Sequence, residues 1–458
     1  MLIPELTGVD VQALRDRIAG QVVSPGDDGW DLARQAWNLA FDQRPALVAL
    51  PANAGDVVAV VEFARSRGLS VAPQGTGHNA GPLGSLEDTV LLSTARMRGV
   101  EIDAGARRVR VQAGTLWLEV TEPASEHGLA PLAGSSPDVG VVGYALGGGL
   151  SWLGRRHGLA ADSILAIEVV TADGRLRRVD ADNEPDLFWA LRGGGGNFGV
   201  VTAMELRLFP VPELYAGAMF WPWERSAEVL HAWREWTATV PDEVTTAARI
   251  MQFPPIPDIP EPLRGRSFVT IDGAFLGSQA VGARLFQPLR DLGPEIDMFG
   301  PMPPVGLSRI HGDPEQPTPA LSASTLLREL TPDAIDTFVE LTGPGAGSAL
   351  LLAELRHIGG ALARRRDGAG ALGTLDGDYL MFAAGIPMDA GVAAAIVAQG
   401  ERLVEALGPW DTGRGYLNFV ESAAGAETFF GSATLDRLRE IRAAVDPGRM
   451  FRANHPLD

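Results

Sequence analysis

Short apolar runs alternate with amphipathic stretches along this chain, and glycine or proline marks most of the joints. Val11, Leu14 and Ile18 fall at helical spacing, so the first 50 residues read as helical and peripheral. RPALVALP, from Arg44, reads as a strand. NAGDVVAVVEFARSRG then predicts a helix, with Asn53 or Asp56 as its starting cap and Gly68 as its stop. LSVAPQ predicts a short buried strand that ends in a glycine-rich turn, GTGHNAG, at 75–81. TVLLS (89–93) and RRVRVQAG (107–114) predict further strands, and TLWLEVTEPASEHG is largely a helix. A second glycine-rich run spans Gly134 to Gly158. SILAIEVVTADGRLRRVD reads as a hairpin turning at Asp173-Gly174, and DLFWALRG as a short helix. A third cluster, GGGGNFG at 193–199, feeds the strand VVTAMELRLF.

The texture changes after Pro210, where aromatic and proline-rich sequence sets in (FWPWERS, FPPIPDIPEP). A domain boundary is expected near Val211. Strands such as SFVTIDGAFLG and DYLMFAAGIPM alternate with amphipathic helices to about residue 408, which predicts an α+β unit with an antiparallel sheet. From 409 to 458, the segment GRGYLNFV, the helix LDRLREIRAAV and the tail DPGRMFRANHPLD read as a return to the first domain. The expected organisation is 1–210, 211–408 and 409–458.

At 458 residues the chain exceeds one ordinary core, which agrees with several domains. No apolar run approaches the roughly 18–20 residues that span a bilayer. MLIPELTGVDVQALRDRI shows no basic region followed by an apolar stretch, so a cytoplasmic protein off the membrane is expected. The net charge of −19 argues against nucleic acid, whose binding rests on clustered basic residues. The chain has no cysteine, which removes disulfides, iron–sulfur clusters, thiolate nucleophiles and cysteine-based zinc sites. No metal is expected. All 38 basic residues are arginine, so Schiff-base chemistry and a Walker-type phosphate loop are excluded as well. Demanding chemistry on this chain needs a different cofactor.

Two segments match a dinucleotide pattern literally: Gly194-x-Gly196-x-x-Gly199 and Gly75-x-Gly77-x-x-Ala80. That motif works only between a strand and a helix whose N-terminus binds the pyrophosphate. Gly194 follows a helix and leads into a strand, and Gly75 leads into a loop. A classical NAD fold is not expected. Tight turns and close packing explain some of these glycines. A backbone laid against a flat, phosphate-bearing ligand explains the rest, since clustered free amides bind pyrophosphate without lysine.

RPALVALP, PQGTGHNAG, GSSPDVGVVGYALGGGLSWLGRRHGLAADS, DLFWALRGGGGNFGVVT and DPGRMFRANHPL together resemble the berberine-bridge-enzyme-like FAD-linked oxidases. That group belongs to the vanillyl-alcohol-oxidase-type (PCMH-type) flavoproteins. The likeness is dense over 42–210, thin through the middle, and returns over 412–457. It implies a two-lobed FAD domain, a substrate domain with a large antiparallel sheet covered by helices, and a flavin at their junction. It also implies that His78 is bonded to the flavin's benzenoid methyl group. Many relatives add a second bond from a cysteine in a G-x-C-P segment. Here that segment is Gly134-Ser135-Ser136-Pro137, so Ser136 stands at the cysteine's position and a double link is impossible.

By the same resemblance, Gly75, Thr76, Gly77, Asn79, Gly134, Ser135, Ser136, Gly140, Gly143, Gly148, Asn197, Gly199, Val200 and Val201 contact the cofactor. Val139 matches a position where valine leaves room for dioxygen. Tyr144 supports charge on the reduced ring or merely packs. Tyr416 and Asn418 match a Tyr-x-Asn segment beside the flavin. Tyr416 is the first candidate for base or substrate positioner, since a phenol with a lowered pKa can take a proton. Two departures limit the transfer. Gln74 replaces a frequent arginine, and Gly359-Gly360 leads to Ala361 rather than towards a glutamate base. Glu354, Arg356, His357 and Arg364 have substrate or salt-bridge roles equally open.

The implied reaction is hydride transfer from a small organic substrate to FAD, with dioxygen reduced to hydrogen peroxide. The substrate is expected to be an aromatic or polycyclic natural product, an amine-bearing ring or a sugar hemiacetal, and Phe220, Trp221, Trp223 and Phe253 tilt it towards a flat, apolar molecule, unless they are core. A dehydrogenase with another acceptor, a sugar oxidase and a catalytically silent flavin-binding protein remain as alternatives.

Overall fold

The computed structural model describes residues 8–458. Residues 1–7, part of the segment searched for a leader, lie outside it. Val11, Leu14 and Ile18 are buried, but the helix is only Gly8–Arg15. Beyond it the first 50 residues are mostly strand, turn and loop rather than the helical segment expected, because the strands Gln21–Val23 and Leu47–Leu50 pair with each other.

The first lobe is a four-stranded sheet in the order Gln21–Val23, Leu47–Leu50, Thr89–Ser93, Ser70–Gln74. Its last three strands are parallel, which explains their continuous apolar sequence. The crossover helix Ala54–Arg67 starts where Asn53 Oδ1 accepts the Asp56 N–H at 3.1 Å, and it stops at Gly68 with φ 65°. Asp56 itself is buried and accepts N–H groups from Ala19, Gly20 and Ala52, pinning the entering chain. The C-terminal tail returns here: Val71 donates to Met450 O and Arg452 to Val71 O.

The second lobe is a five-stranded antiparallel sheet in the order Val100–Asp103, Arg108–Gln112, Val200–Arg207, Ile164–Val170, Leu176–Asp180. The predicted turn at Asp173-Gly174 joins the last two strands, with Gly174 at φ 80°. The short helix Pro185–Leu191 and the C-terminal helix Ser432–Val445 pack together beside it.

The large antiparallel sheet has eight strands. Its central order is Leu214–Pro222, Ser267–Leu276, Val244–Gln252, Leu352–His357, Tyr379–Gly385 and Leu321–Leu327. Side chains alternate between faces, so register decides what each face carries. One face presents Trp221, Ile271, Ala248, Leu355 and Met381, and the helices Ser226–Thr237, Pro332–Thr342 and Ala390–Ala406 cover it. The opposite face presents Asp272, Arg249, Glu354, Arg356, Phe382 and Ser324. Alanines on that face (Ala216, Ala247, Ala274) pack against Trp152, Leu153 and Ala160 of the second glycine-rich segment. Arg155 fastens the junction: buried, it donates to Val244 O at 2.7 Å and to Ile358 O.

The aromatic residues expected around a substrate are core. Trp221 is fully buried under the covering helices, and Phe220 and Phe253 pack on Phe268 at the sheet's far end. Trp223 is a partly buried flank of the same core. Phe220 and Trp221 sit on one strand, Leu214–Pro222, that is buried on both faces. Among the described residues, no helix is long and apolar enough to cross a membrane.

Candidate active site

Two glycine turns meet beside the charged sheet face. A Cβ added at Gly140 would lie 3.7 Å from Thr76, so the turn after Gln74 and the turn before Tyr144 touch. Gly75 and Gly143 face open space, with nothing within 4 Å of an added Cβ. Gly77 is needed for another reason: φ is +83°, and a Cβ there would sit 2.9 Å from Ala36. Other glycines are explained by protein contacts. A Cβ at Gly134 would meet the Tyr144 ring at 3.0 Å, at Gly148 Leu372 at 2.8 Å, and at Gly199 Val170 O at 2.5 Å. The third cluster therefore serves packing at Gly199. Asn197 is buried and donates to Gly194 O and His455 O, while Val200 and Val201 insert their side chains into separate cores.

His78 stacks on Trp37 with ring centroids 4.0 Å apart and planes 15° from parallel. Its Nδ1 lies 2.8 Å from Thr76 Oγ1. Its Nε2 is buried without a hydrogen-bond partner, 3.5 Å from Asp138 Oδ1. Asp138 also accepts from the Trp37 indole and from Ser136 Oγ. Burial works to raise the Asp138 pKa, but His78, Trp37 and Ser136 together hold it below the usual carboxylate value. Ser136 is thus tied to a carboxylate that sequence reading missed. Ser135 reaches the other way and donates to Asp313 at 2.8 Å. Val139 is half-buried, and its carbonyl accepts the Trp117 N–H at 3.0 Å.

Tyr416 and Asn418 lie in a tight turn, where Phe419 and Val420 both donate to Tyr416 O. Asn418 Nδ2 reaches Tyr144 O at 2.9 Å and the Tyr416 hydroxyl at 3.3 Å. Asn79 Nδ2 donates to Val420 O at 3.1 Å. This one segment therefore ties the His78 turn to the Tyr144 helix. The lowered phenol pKa expected for Tyr416 is not found. Tyr416 is fully buried, and burial pushes its pKa up, against smaller opposing effects from Gly149, Arg356 and Asn418. Burial likewise raises Tyr144.

Behind Tyr416 the sheet face carries a buried chain of charges. Arg249 pairs with Asp272 at 2.5 Å, and Asp272 with His311 Nδ1 at 2.8 Å. His311 Nε2 lies 2.9 Å from Glu354, which Arg356 Nε holds at 2.5 Å. Burial opposes charge on Glu354, yet Arg356 and His311 hold its pKa down at about 2. His311 is pushed up by Asp313, Glu354 and Asp272, even though its burial and Arg249 oppose that. Arg356 also lies 5.0 Å from the centroid of Phe419, which stacks on Tyr416 and meets Phe382 edge-on. The four open candidates thus separate. Glu354 and Arg356 join the site. His357 points to the opposite face, stacks on Tyr379 and is pushed down to about 3 by burial. Arg364 is exposed and pairs with Asp242.

FAD fits this arrangement. Buried polar atoms without partners gather around the two turns: His78 Nε2, Asn79 Oδ1, Gln74 Oε1 and the Tyr144 hydroxyl. Such atoms are costly unless a ligand completes them. With Gly75 and Gly143 opening onto empty space, the turns form a cradle free of side chains. Sequence reading missed Asp138, Trp37, His311, Asp272 and Arg249. The last two had a signal: a single charge inside an otherwise apolar strand.

A family described as FAD binding domain matches residues 45–180, and one described as berberine and berberine like matches 415–458. (R)-6-hydroxynicotine oxidase of Paenarthrobacter nicotinovorans is 37% identical over 205 residues, 44% of this chain and 45% of that enzyme. Glucooligosaccharide oxidase of Sarocladium strictum is 33% identical over 49% of this chain and 46% of that enzyme. In sequence, the match spans about half the length of these relatives. In structure, 6-hydroxy-D-nicotine oxidase from Arthrobacter nicotinovorans superposes with a TM-score of 0.80 at 27% identity, covering 96% of this chain and 98% of that one. Physcomitrella patens BBE-like 1 gives 0.84 at 20% identity over 98% and 99%, a likeness of fold. Over both matched segments and across its fold, the chain is similar to the berberine-bridge-enzyme-like family of FAD-linked oxidoreductases.

Proposed function

We propose that this protein is an oxidase that holds FAD through a single bond to His78 and oxidises a small, flat organic substrate, with dioxygen as electron acceptor. The observation that carries the reading is the seating of Tyr416, on a segment joined to the His78 turn by Asn79 and to the Tyr144 helix by Asn418. When bound, FAD supplies a two-electron acceptor for substrate hydride and hands those electrons to dioxygen. The chain's own groups do the rest. Gly75, Thr76, Gly77, Asn79 and the Ser136–Tyr144 turn hold the cofactor. Tyr416, neutral at pH 7, orients the substrate as a hydrogen-bond donor rather than as a base. Phe419 and Phe382 offer aromatic surface, and Arg356 sets a cation over the Phe419 ring. Of the two relatives, one is named for a hydroxynicotine and one for oligosaccharides; this aromatic wall favours the aromatic class.

Half-buried Val139 gives the oxygen test. Photoreduced wild-type enzyme should re-oxidise in air within seconds and release peroxide. Val139→Leu adds a methylene beside a close-packed ring, and overpacking of that kind costs about 1–3 kcal/mol. Re-oxidation should therefore slow about tenfold or more, with anaerobic reduction by substrate little changed. Stopped-flow absorbance separates the two half-reactions. A wild-type enzyme that stays reduced in air for many minutes would refute the oxidase reading.

A further inference from the structure

A cavity of about 590 Å³ opens beside the helix Ser432–Val445, and its charged groups have no part in the site described so far. Arg439 and Arg442 border it from one side of the helix, three residues apart. Asp446 and Arg449 border it from the turn that follows, and Asp458 from the returning segment. Arg442 is buried, and among the described residues Asp458 is the one carboxylate within ion-pair reach of it. The other Asp458 oxygen lies 3.2 Å from Arg449 Nη1. Arg439 Nε donates to the adjacent Leu457 O at 2.6 Å. Asp446 is already engaged: it is buried, and its two oxygens accept the Met450 and Phe451 N–H groups at 2.9 and 3.0 Å. Three guanidiniums therefore converge on one exposed carboxylate. The hydrogen bond from Arg442 outweighs burial and, with the charges of Arg449 and Arg439, holds the Asp458 pKa below its ordinary value. Arg449 completes the cluster from a left-handed backbone, φ 53°, which a non-glycine residue adopts rarely.

The residues leading to Asp458 cross the cofactor cradle as a strap. Arg452 pairs with Asp88 at 2.7 Å, and Asn454 Nδ2 donates to Asn79 O in the His78 turn. His455 Nε2 donates to Val420 O at 3.1 Å, on the segment that carries Tyr416. Asn197 of the third glycine cluster donates to His455 O, also at 3.1 Å. Leu457 is buried in the core, so release of Asp458 loosens this strap without detaching it. The fastening at Asp458 is weak by nature, since exposed ion pairs contribute little to stability. A phosphate brings more charge and more acceptor oxygens than one carboxylate, and guanidinium forks suit it.

We propose that this cavity is a binding site for a phosphate group, with Asp458 as its built-in occupant, and that phosphate taking the place of Asp458 loosens the strap over the cradle. The inference goes beyond the oxidase reading and does not depend on the substrate oxidised.

The test uses the FAD-loaded enzyme. Calorimetry reads binding of inorganic phosphate, with sodium chloride at matched ionic strength as the control, and hydrogen exchange by mass spectrometry follows the strap. Asp458→Asn should bind phosphate about tenfold more tightly than wild type, because the competing carboxylate is gone. Arg449→Ala and Arg439→Ala, at exposed positions that leave the buried Arg442 in place, should each bind it about tenfold more weakly. Phosphate should speed exchange over residues 450–458 and 75–81 in wild type, whereas Asp458→Asn should exchange fast there without it. Glycerol 2-phosphate distinguishes the sources: binding of both probes supports a site for phosphate esters, and binding of inorganic phosphate alone supports one for the free anion. Equal phosphate binding by wild type and Asp458→Asn, or binding that chloride abolishes at matched ionic strength, would overturn the site. Tight phosphate binding with unchanged exchange over 450–458 would overturn the loosening of the strap.

Discussion

Acid-precipitated wild-type protein should keep its flavin in the pellet, and the His78→Ala variant should release all of it. Few single substitutions give so complete an effect. His78 cannot wander: Trp37 stacks on one face of its ring, and Thr76 Oγ1 meets Nδ1 at 2.8 Å. Asp138, whose pKa its neighbours hold below the usual carboxylate value, stands 3.5 Å from Nε2. A fixed imidazole beside a carboxylate is suited to bonding an electrophilic carbon. In-gel fluorescence of denatured protein gives the same readout independently. Peptide mapping should find flavin mass only on the His78 fragment, because the Ser136 hydroxyl is a poor nucleophile already donating to Asp138. Free FAD in the supernatant of wild type would end the covalent assignment.

Parts of this arrangement were legible in the sequence because they are local. The Asn53 cap, the Gly68 stop and the Asp173-Gly174 turn each depend on a few adjacent residues, and each stands where the sequence predicts. The glycine turns were legible as a cradle, but not glycine by glycine. Gly75 opens onto space while Gly199 makes room for Val170 O, a distinction that requires the partner strand. The charged sheet face was legible only in pieces, Glu354 and Arg356 as candidates and nothing of how they meet. Arg249, Asp272 and Glu354 are isolated charges in three strands, and only the register Arg249↔Glu354 and Ala247↔Asp272 brings them to one face. The direction of the Tyr416 pKa was misread for the same reason. The Tyr-x-Asn segment gives the residue, whereas the burial that raises its pKa comes from the rest of the fold.

That buried face yields the other large expectation. Arg356→Ala should destabilise the protein by about 3–5 kcal/mol, the usual result of stranding one partner of a buried ion pair. Glu354 would then sit fully buried with only His311 to balance it. Urea unfolding at pH 7 measures the loss, and a change below about 1 kcal/mol would show that the chain of charges is not coupled as drawn. Pairing Arg356→Met with Glu354→Gln should recover most of the stability, since apolar or neutral replacement of a whole buried pair is often close to neutral. It should not recover turnover, because the cation over Phe419 is gone. The pH dependence has a definite sign. Glu354 titrates near 2 in the folded protein against 4.5 for the free group, so its contribution is fully present above about pH 4.5. That contribution falls away as the pH drops from there towards 2. His311, raised in the folded state, contributes fully below its ordinary value of 6.5 and loses that contribution as the pH rises through its folded pKa. Wild type should therefore be most stable between these limits, and the double variant should show a flatter profile on the acid side. An acid limb of equal steepness in both proteins would mean that other carboxylates, not Glu354, set the acid stability.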